Sequence, residues 1–80
     1  MRKSRYSKSY KRLLTVLRQV RKEAGLTQTE VAVKFGTHAS FVSKVESGER
    51  RLDVVELSEF CRVYSVPLTA FLTRAGLATG

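Results

Sequence analysis

Apolar residues recur along most of the chain at steps of three and four, the spacing of one face of an α-helix. Leu13, Leu17, Val20 and Ala24 form the first such stripe, which begins near Ser9 and stops at Gly25. Glycine enters the left-handed conformation that ends helices at little cost. Thr27 and Glu30 then form a Thr-x-x-Glu capping box, in which two free backbone N–H groups are satisfied reciprocally. Val31, Ala32 and Phe35 follow on a helix over about 28–35, closed by Gly36. Two turns of helix are marginal alone, so packing must hold them. After the short connection "GTH", a third helix over about 39–47 points Val42 and Val45 inward, with Phe41 beside them, and stops at Gly48. Asp53 and Glu56 repeat the N-terminal signature. They open a helix to about Tyr64, with Val54, Leu57, Phe60, Cys61 and Tyr64 inward. Pro67 suits the start of a last short helix carrying Leu68, Phe71 and Leu72. No useful stretch alternates as a strand does, and no segment repeats. The pattern predicts an all-α fold, a compact five-helix domain over residues 9–75. A flexible basic arm at 1–8 and a tail at 76–80 flank it.

Length and charge narrow the picture. Eighty residues make one domain at most, burying only about 60–65% of the surface of the unfolded chain. No apolar run nears the ~20 residues that span a bilayer, and the N-terminus lacks the apolar stretch of a secretory signal. A single cysteine, Cys61, excludes an internal disulfide framework and fits a reducing cytoplasm. The net charge of +8 is unevenly spread. Residues 1–22 hold nine Lys and Arg and no acid, whereas residues 23–80 hold six basic and seven acidic residues. A basic segment beside a near-neutral body suits a polyanionic partner. A solubilising tail explains the same charge equally well. A targeting segment fits less well, because the basic run passes straight into a helix with its own core face. One histidine, one cysteine, no metal-ligand spacing and no nucleophile motif point away from catalysis, metals and cofactors. Cys61 suits a small core position better than a reactive thiol.

Helices two and three, joined by a glycine turn, follow a helix-turn-helix plan. Such pairs are common, and the order of residues is more specific. "LTQTEVAVKFGTHASFVSKVESGERR" resembles the XRE-like, phage-repressor-type helix-turn-helix family. There, Leu-Ser/Thr-Gln, an aliphatic-Ala pair, Gly and Glu-Asn-Gly fall at these spacings. Arg21 upstream and "LDVVELSEFCRVYSVPLTAFL" downstream also fit, so the resemblance spans about residues 10–72. Four positions depart from it. Ser47 replaces the usual Asn, Leu52 stands where proline is common, and Val31 replaces leucine. Phe41 stands where polar residues are common, and its role stays open between core, thymine contact and partner surface.

The resemblance implies a site. It pairs Glu46, at the end of helix three, with Arg21 of helix one, a tie expected to be largely shielded from water. The family's base-contacting positions fall on Ala39, Ser40 and Lys44. Spacing adds Ser43, four residues after Ala39, and places all four opposite Val42 and Val45. Lysine can donate to guanine O6 or N7, serine can donate or accept, and an alanine methyl suits thymine. An ordinary solvated helix face explains the same composition. The resemblance also puts Gln28 against the DNA backbone, at a helix N-terminus that favours anions. Thr27, His38, Ser47, Arg50 and Arg51 are further candidate phosphate contacts. Capping accounts equally for Thr27 and His38, and simple solvation for the two arginines. Arg2, Lys3 and Arg5 of the arm can follow the backbone or enter a minor groove. The function implied is a sequence-specific regulator of transcription that binds double-stranded DNA, a repressor acting as a homodimer on an inverted repeat. It belongs in a bacterial or phage cytoplasm. Leu68 to Leu77, with Val55 and Val63, form the candidate dimer surface. An antitoxin-like protein with a small protein partner, and a non-specific nucleic-acid binder, are the competing readings.

Overall fold

The computed structural model describes residues 7–79. Arg2, Lys3 and Arg5 lie outside the described residues. Five helices follow one another: α1 (Lys8–Glu23), α2 (Gln28–Phe35), α3 (Ala39–Ser47), α4 (Val54–Val63) and α5 (Leu68–Arg74), with no strand among the described residues. Helix α1 begins earlier than the apolar stripe suggests. Ser7 is its N-cap, accepting a hydrogen bond from the Tyr10 N–H at 3.1 Å. Lys8 therefore belongs to α1 and not to the arm. The cap adds a turn that carries Tyr10 into the core.

Both capping boxes form. Thr27 Oγ1 accepts from the Glu30 N–H and Glu30 Oε1 from the Thr27 N–H; Asp53 and Glu56 do the same at the start of α4. All five helix ends turn through a left-handed residue, Gly25, Gly36, Gly48, Ser65 and Gly76. At four of them the next N–H reaches back to the last helical turn: Leu26 to Arg21, Thr37 to Ala32, Val66 to Cys61 and Leu77 to Leu72. Such closures satisfy carbonyls that a helix end leaves free. The last one gives the expected tail an ordered beginning at Gly76–Leu77.

The core is one cluster. Leu17, Val20, Val31, Val42, Val45, Phe60, Cys61 and Phe71 are fully buried at its centre. Helix α1 contributes a broader face than its four-residue stripe implies, because Tyr10, Leu14 and Val16 are buried as well. Ala24 is exposed, lying at the helix end rather than on the packed turns. Val54 is also exposed, at 63%. As the first residue of α4 it precedes the turn that contacts the core. Phe41 is half-buried and packs at the edge of an aromatic group, 6.1 Å from Phe60 and 6.2 Å from Phe35 between ring centroids.

Gly48 ends α3 at a φ of 86°, and a Cβ there would lie 3.2 Å from Leu14 Cδ1. An alanine must adopt a left-handed backbone, which costs roughly 1–2 kcal/mol, and also displace a core leucine. Gly48→Ala is expected to lower the urea midpoint by an amount equal to about 1–2 kcal/mol with an unchanged m-value. A midpoint equal to wild type would show that neither constraint operates.

Candidate nucleic-acid interface

Helix α3 divides cleanly by its 3.6-residue period. Val42, Val45 and Glu46 are buried on one side; Ser40, Ser43, Lys44 and Ser47 are exposed on the other. Ala39 does not lie with them. It is half-buried against the core, on the flank next to Glu46, which corrects the reading that set it opposite Val42 and Val45. Lys44 has no ion-pair partner among the described residues. The outward strip is thus one cation among three hydroxyls, a set that can donate and accept.

Behind the strip, α3 is tied to α1 and α2. The Arg21 guanidinium meets the Glu46 carboxylate as a fork, Nε to Oε2 at 2.6 Å and Nη2 to Oε1 at 3.1 Å. The two side chains are only 10% and 2% exposed. Arg21 also donates from Nη1 to the Leu26 carbonyl at 2.9 Å, and so braces the α1–α2 turn. The hydrogen bond to Glu46 raises the Arg21 pKa above its ordinary value, partly opposed by burial. Gln28 Nε2 donates to Glu46 Oε1 at 3.0 Å, and Arg18 Nη1 to the Glu46 carbonyl at 3.2 Å. The buried Tyr64 hydroxyl has no hydrogen-bond partner among the described residues. Burial, and secondarily the Glu46 charge, push its pKa above the ordinary phenol value.

Two of these partners were not legible in the motif. Gln28 spends one amide hydrogen on Glu46, leaving the other for an outside acceptor. Arg18 lies outside the motif. Its position three residues before Arg21 puts both on the same side of α1, and that spacing is the signal that could have found it.

The remaining candidates surround the strip. Thr27 and Gln28 start α2, and Thr27 Oγ1 is engaged as a cap. His38 occupies the N-cap position of α3 and is exposed, but its side chain makes no capping hydrogen bond. An imidazole is bulkier than the Ser, Thr, Asp or Asn that usually caps. Ser47 Oγ donates to the Lys44 carbonyl at 3.1 Å, which closes the end of α3. The loop arginines are both stacked on rings. Arg51 lies over Tyr10 at 4.4 Å, and Arg50 over Phe41 at 4.8 Å. Arg50 also forks onto Glu56 at 3.0 and 2.8 Å, so an incoming phosphate competes with that carboxylate.

The fork sets a titration. Arg50, and after it the Asp53 N–H, hold the Glu56 carboxyl below its ordinary value of 4.5. A lowered folded pKa means that the contribution to stability is present above the unfolded value. It fades as pH falls through the folded one. Carbon-detected NMR of Glu56 is expected to give a midpoint below 4.5 that returns toward it in Arg50→Gln. An identical midpoint in both proteins would show that the fork is open in solution.

A regular helix pair with a braced, outward-facing polar strip is the design of a helix-turn-helix DNA-binding domain. Residues 17–71 match the family described as helix-turn-helix. A solved XRE-family like protein from Pseudomonas syringae pv. tomato str. DC3000 is similar, with a TM-score of 0.80 and 42% identity over 91% of each chain. No curated protein matches the chain. The chain belongs to the XRE-type helix-turn-helix family, a family of DNA-binding transcription regulators. Among the described residues no helix is long and apolar enough to cross a membrane, and no three His, Cys, Asp or Glu side chains cluster to hold a metal.

Proposed function

We propose that this protein is a sequence-specific repressor of transcription that binds an inverted repeat in duplex DNA as a homodimer, in a bacterial cytoplasm. The observation that carries the reading is α3: an exposed Ser40, Ser43, Lys44 and Ser47 strip on a helix whose opposite side is held by a buried ion pair. Small side chains let the helix backbone sit deep in a major groove, about 12 Å wide. Ser40, Ser43 and Lys44 face base edges, and Ala39 offers its methyl from the flank. Gln28, Thr27 and His38, at the starts of α2 and α3, meet phosphates on one side. Ser47, Arg51 and Arg50, the last by exchanging Glu56 for phosphate, meet them on the other. Arg2, Lys3 and Arg5 add contacts from the arm.

A single reading helix covers few base pairs, and two-fold pairing sets two of them ~34 Å apart, one turn of B-DNA. Val55 at 65% and Leu77 at 46% exposure, with half-buried Leu68, Leu72 and Val63, supply apolar surface for that pairing. In vitro selection of bound duplexes tests the whole reading. It is expected to return a palindrome whose half-sites lie one helical turn apart, bound at least ~10³-fold above random duplex. Enrichment of no sequence would reject specific recognition, and an asymmetric single site would reject the dimer.

A further inference from the structure

Two arginines stand side by side in the α3–α4 loop, and only one of them is held by an acid. Arg51 stacks on Tyr10 and has no ion-pair partner among the described residues. The Arg50 guanidinium is engaged from several directions. Its Nη1 donates to Glu56 Oε1 at 3.0 Å and to the Arg51 carbonyl at 2.9 Å. Its Nη2 donates to Glu56 Oε2 at 2.8 Å, and its Cζ lies 4.8 Å from the centre of the Phe41 ring. That stacking gives Phe41, whose role the sequence leaves open, a place beside the loop.

The carboxylate is fixed independently of this arginine. Glu56 is the third residue of α4, and its Oε1 also accepts from the Asp53 N–H at 3.1 Å as half of the capping box. Arg50 in turn is anchored at the end of α3, because its backbone N–H donates to the Lys44 carbonyl at 3.0 Å. Its side chain is 43% exposed and open to an outside anion. Three of its five N–H groups are nevertheless in use, and the carboxylate cancels the charge that draws a phosphate. A phosphate must displace Glu56 from the guanidinium or bind beside it against its charge. Either course weakens the contact.

We propose that Glu56 is a positioning residue that sets the affinity for DNA: by holding Arg50 on α4 it keeps duplex binding weaker than the charge of the loop allows. The inference rests on the placement of Arg50 against a phosphate. Phosphate contacts carry no sequence information, so the restraint acts alike on operator and random duplex. It lowers the electrostatic part of binding and leaves base discrimination to α3.

The experiment compares wild type, Glu56→Gln, Arg50→Gln and the double variant by anisotropy, on a selected and a random duplex over a range of salt. Glutamine keeps the acceptor that a capping box needs, so α4 retains its start. It loses the charge, and with it the stronger form of the bond to Arg50. Glu56→Gln is expected to tighten binding to both duplexes by about two- to fivefold, the range of an exposed ion pair. The gain should vanish when Arg50 is already replaced, as coupling in a double-mutant cycle requires. Glu59→Gln removes the same charge three residues further along α4, from a pair with Arg62 rather than Arg50, and should give less than half of the gain. A carboxylate that only supports the fold predicts the opposite sign, because a loosened loop binds less well. Unchanged or weaker binding by Glu56→Gln therefore overturns the proposal. So does a gain that persists without Arg50 or that Glu59→Gln equals. Should the variant melt early, the wild-type protein decides. Its Glu56 carboxyl signal is expected to move toward the value in Arg50→Gln when duplex is added, and an unmoved signal overturns the proposal. Loss of a phosphate contact lowers the salt slope by about 0.9. If Arg50→Gln changes neither slope nor affinity, the proposal falls together with the phosphate assignment of Arg50, while the reading by α3 is still judged on Lys44. Should selection enrich no sequence, random duplex alone serves the same comparison, so the two readings fail separately.

Discussion

Glu46→Gln is expected to lower the thermal midpoint by about 12 °C or more. The substitution keeps the shape of the side chain and removes its charge. Arg21, 10% exposed and held in place by the Leu26 carbonyl, is left as a buried cation with one weak acceptor. Breaking a buried pair from one side costs roughly 3–5 kcal/mol, and each kilocalorie shifts the midpoint of a domain this size by ~4–8 °C. Gln28 and Arg18 sharpen the effect, because both donate to Glu46 and lose part of their partner or its position. Removing both charges gives a different result. Arg21→Met with Glu46→Leu replaces the pair by apolar volume, and such exchanges are often neutral or stabilising. A single variant that melts within about 2 °C of wild type would mean that water reaches the pair and that its worth is that of a surface bridge.

Lys44→Ala is expected to weaken binding to the selected duplex by about 5- to 150-fold, equivalent to roughly 1–3 kcal/mol for one base contact, and to weaken random duplex far less. Lys44 is the sole cation of the outward strip and is exposed on a helix braced from behind. Under the proposed reading its loss takes away a donor to guanine, and the fold is expected to stand because Lys44 is exposed. Anisotropy titrations on both duplexes over a range of salt separate the roles. A base contact changes the ratio of affinities, whereas a phosphate contact lowers both together and reduces the salt slope by about one. Equal losses on the two duplexes would move Lys44 to the phosphate set and leave the serines as the readers.

Much of the architecture could be read from the chain because it is encoded locally. Three-and-four spacing marks the helices, Thr27–Glu30 and Asp53–Glu56 mark two starts, and Gly25, Gly36 and Gly48 mark three stops. What escaped depends on contacts between distant residues. Ala24 and Val54 are apolar and in phase, yet they sit at helix ends beyond the reach of neighbouring helices. Tyr10 and Val16 fall outside the narrow stripe but inside the wide angle that α1 buries by passing between α3 and α5. The site divides in the same way. The exposed side of α3 follows from its period, except that Ala39, on the flank, is small enough to be drawn inward. The engagement of Arg50 with Glu56 and Phe41, and of Gln28 with Glu46, required knowing where a loop and a helix start come to rest. Only the pairing of Arg21 with Glu46 could be anticipated across 25 residues, and only through the resemblance.

Helix α3 is held unequally along its length. Its last turn carries the ion pair, the Arg18 bond and the Gly48 stop against Leu14, whereas its first turn begins at His38 without a side-chain cap. The helix is a lever clamped at its rear. In the proposed complex the uncapped N–H groups of that first turn stay open to an outside acceptor, while Val42 and the half-buried Ala39 keep the turn seated on the core.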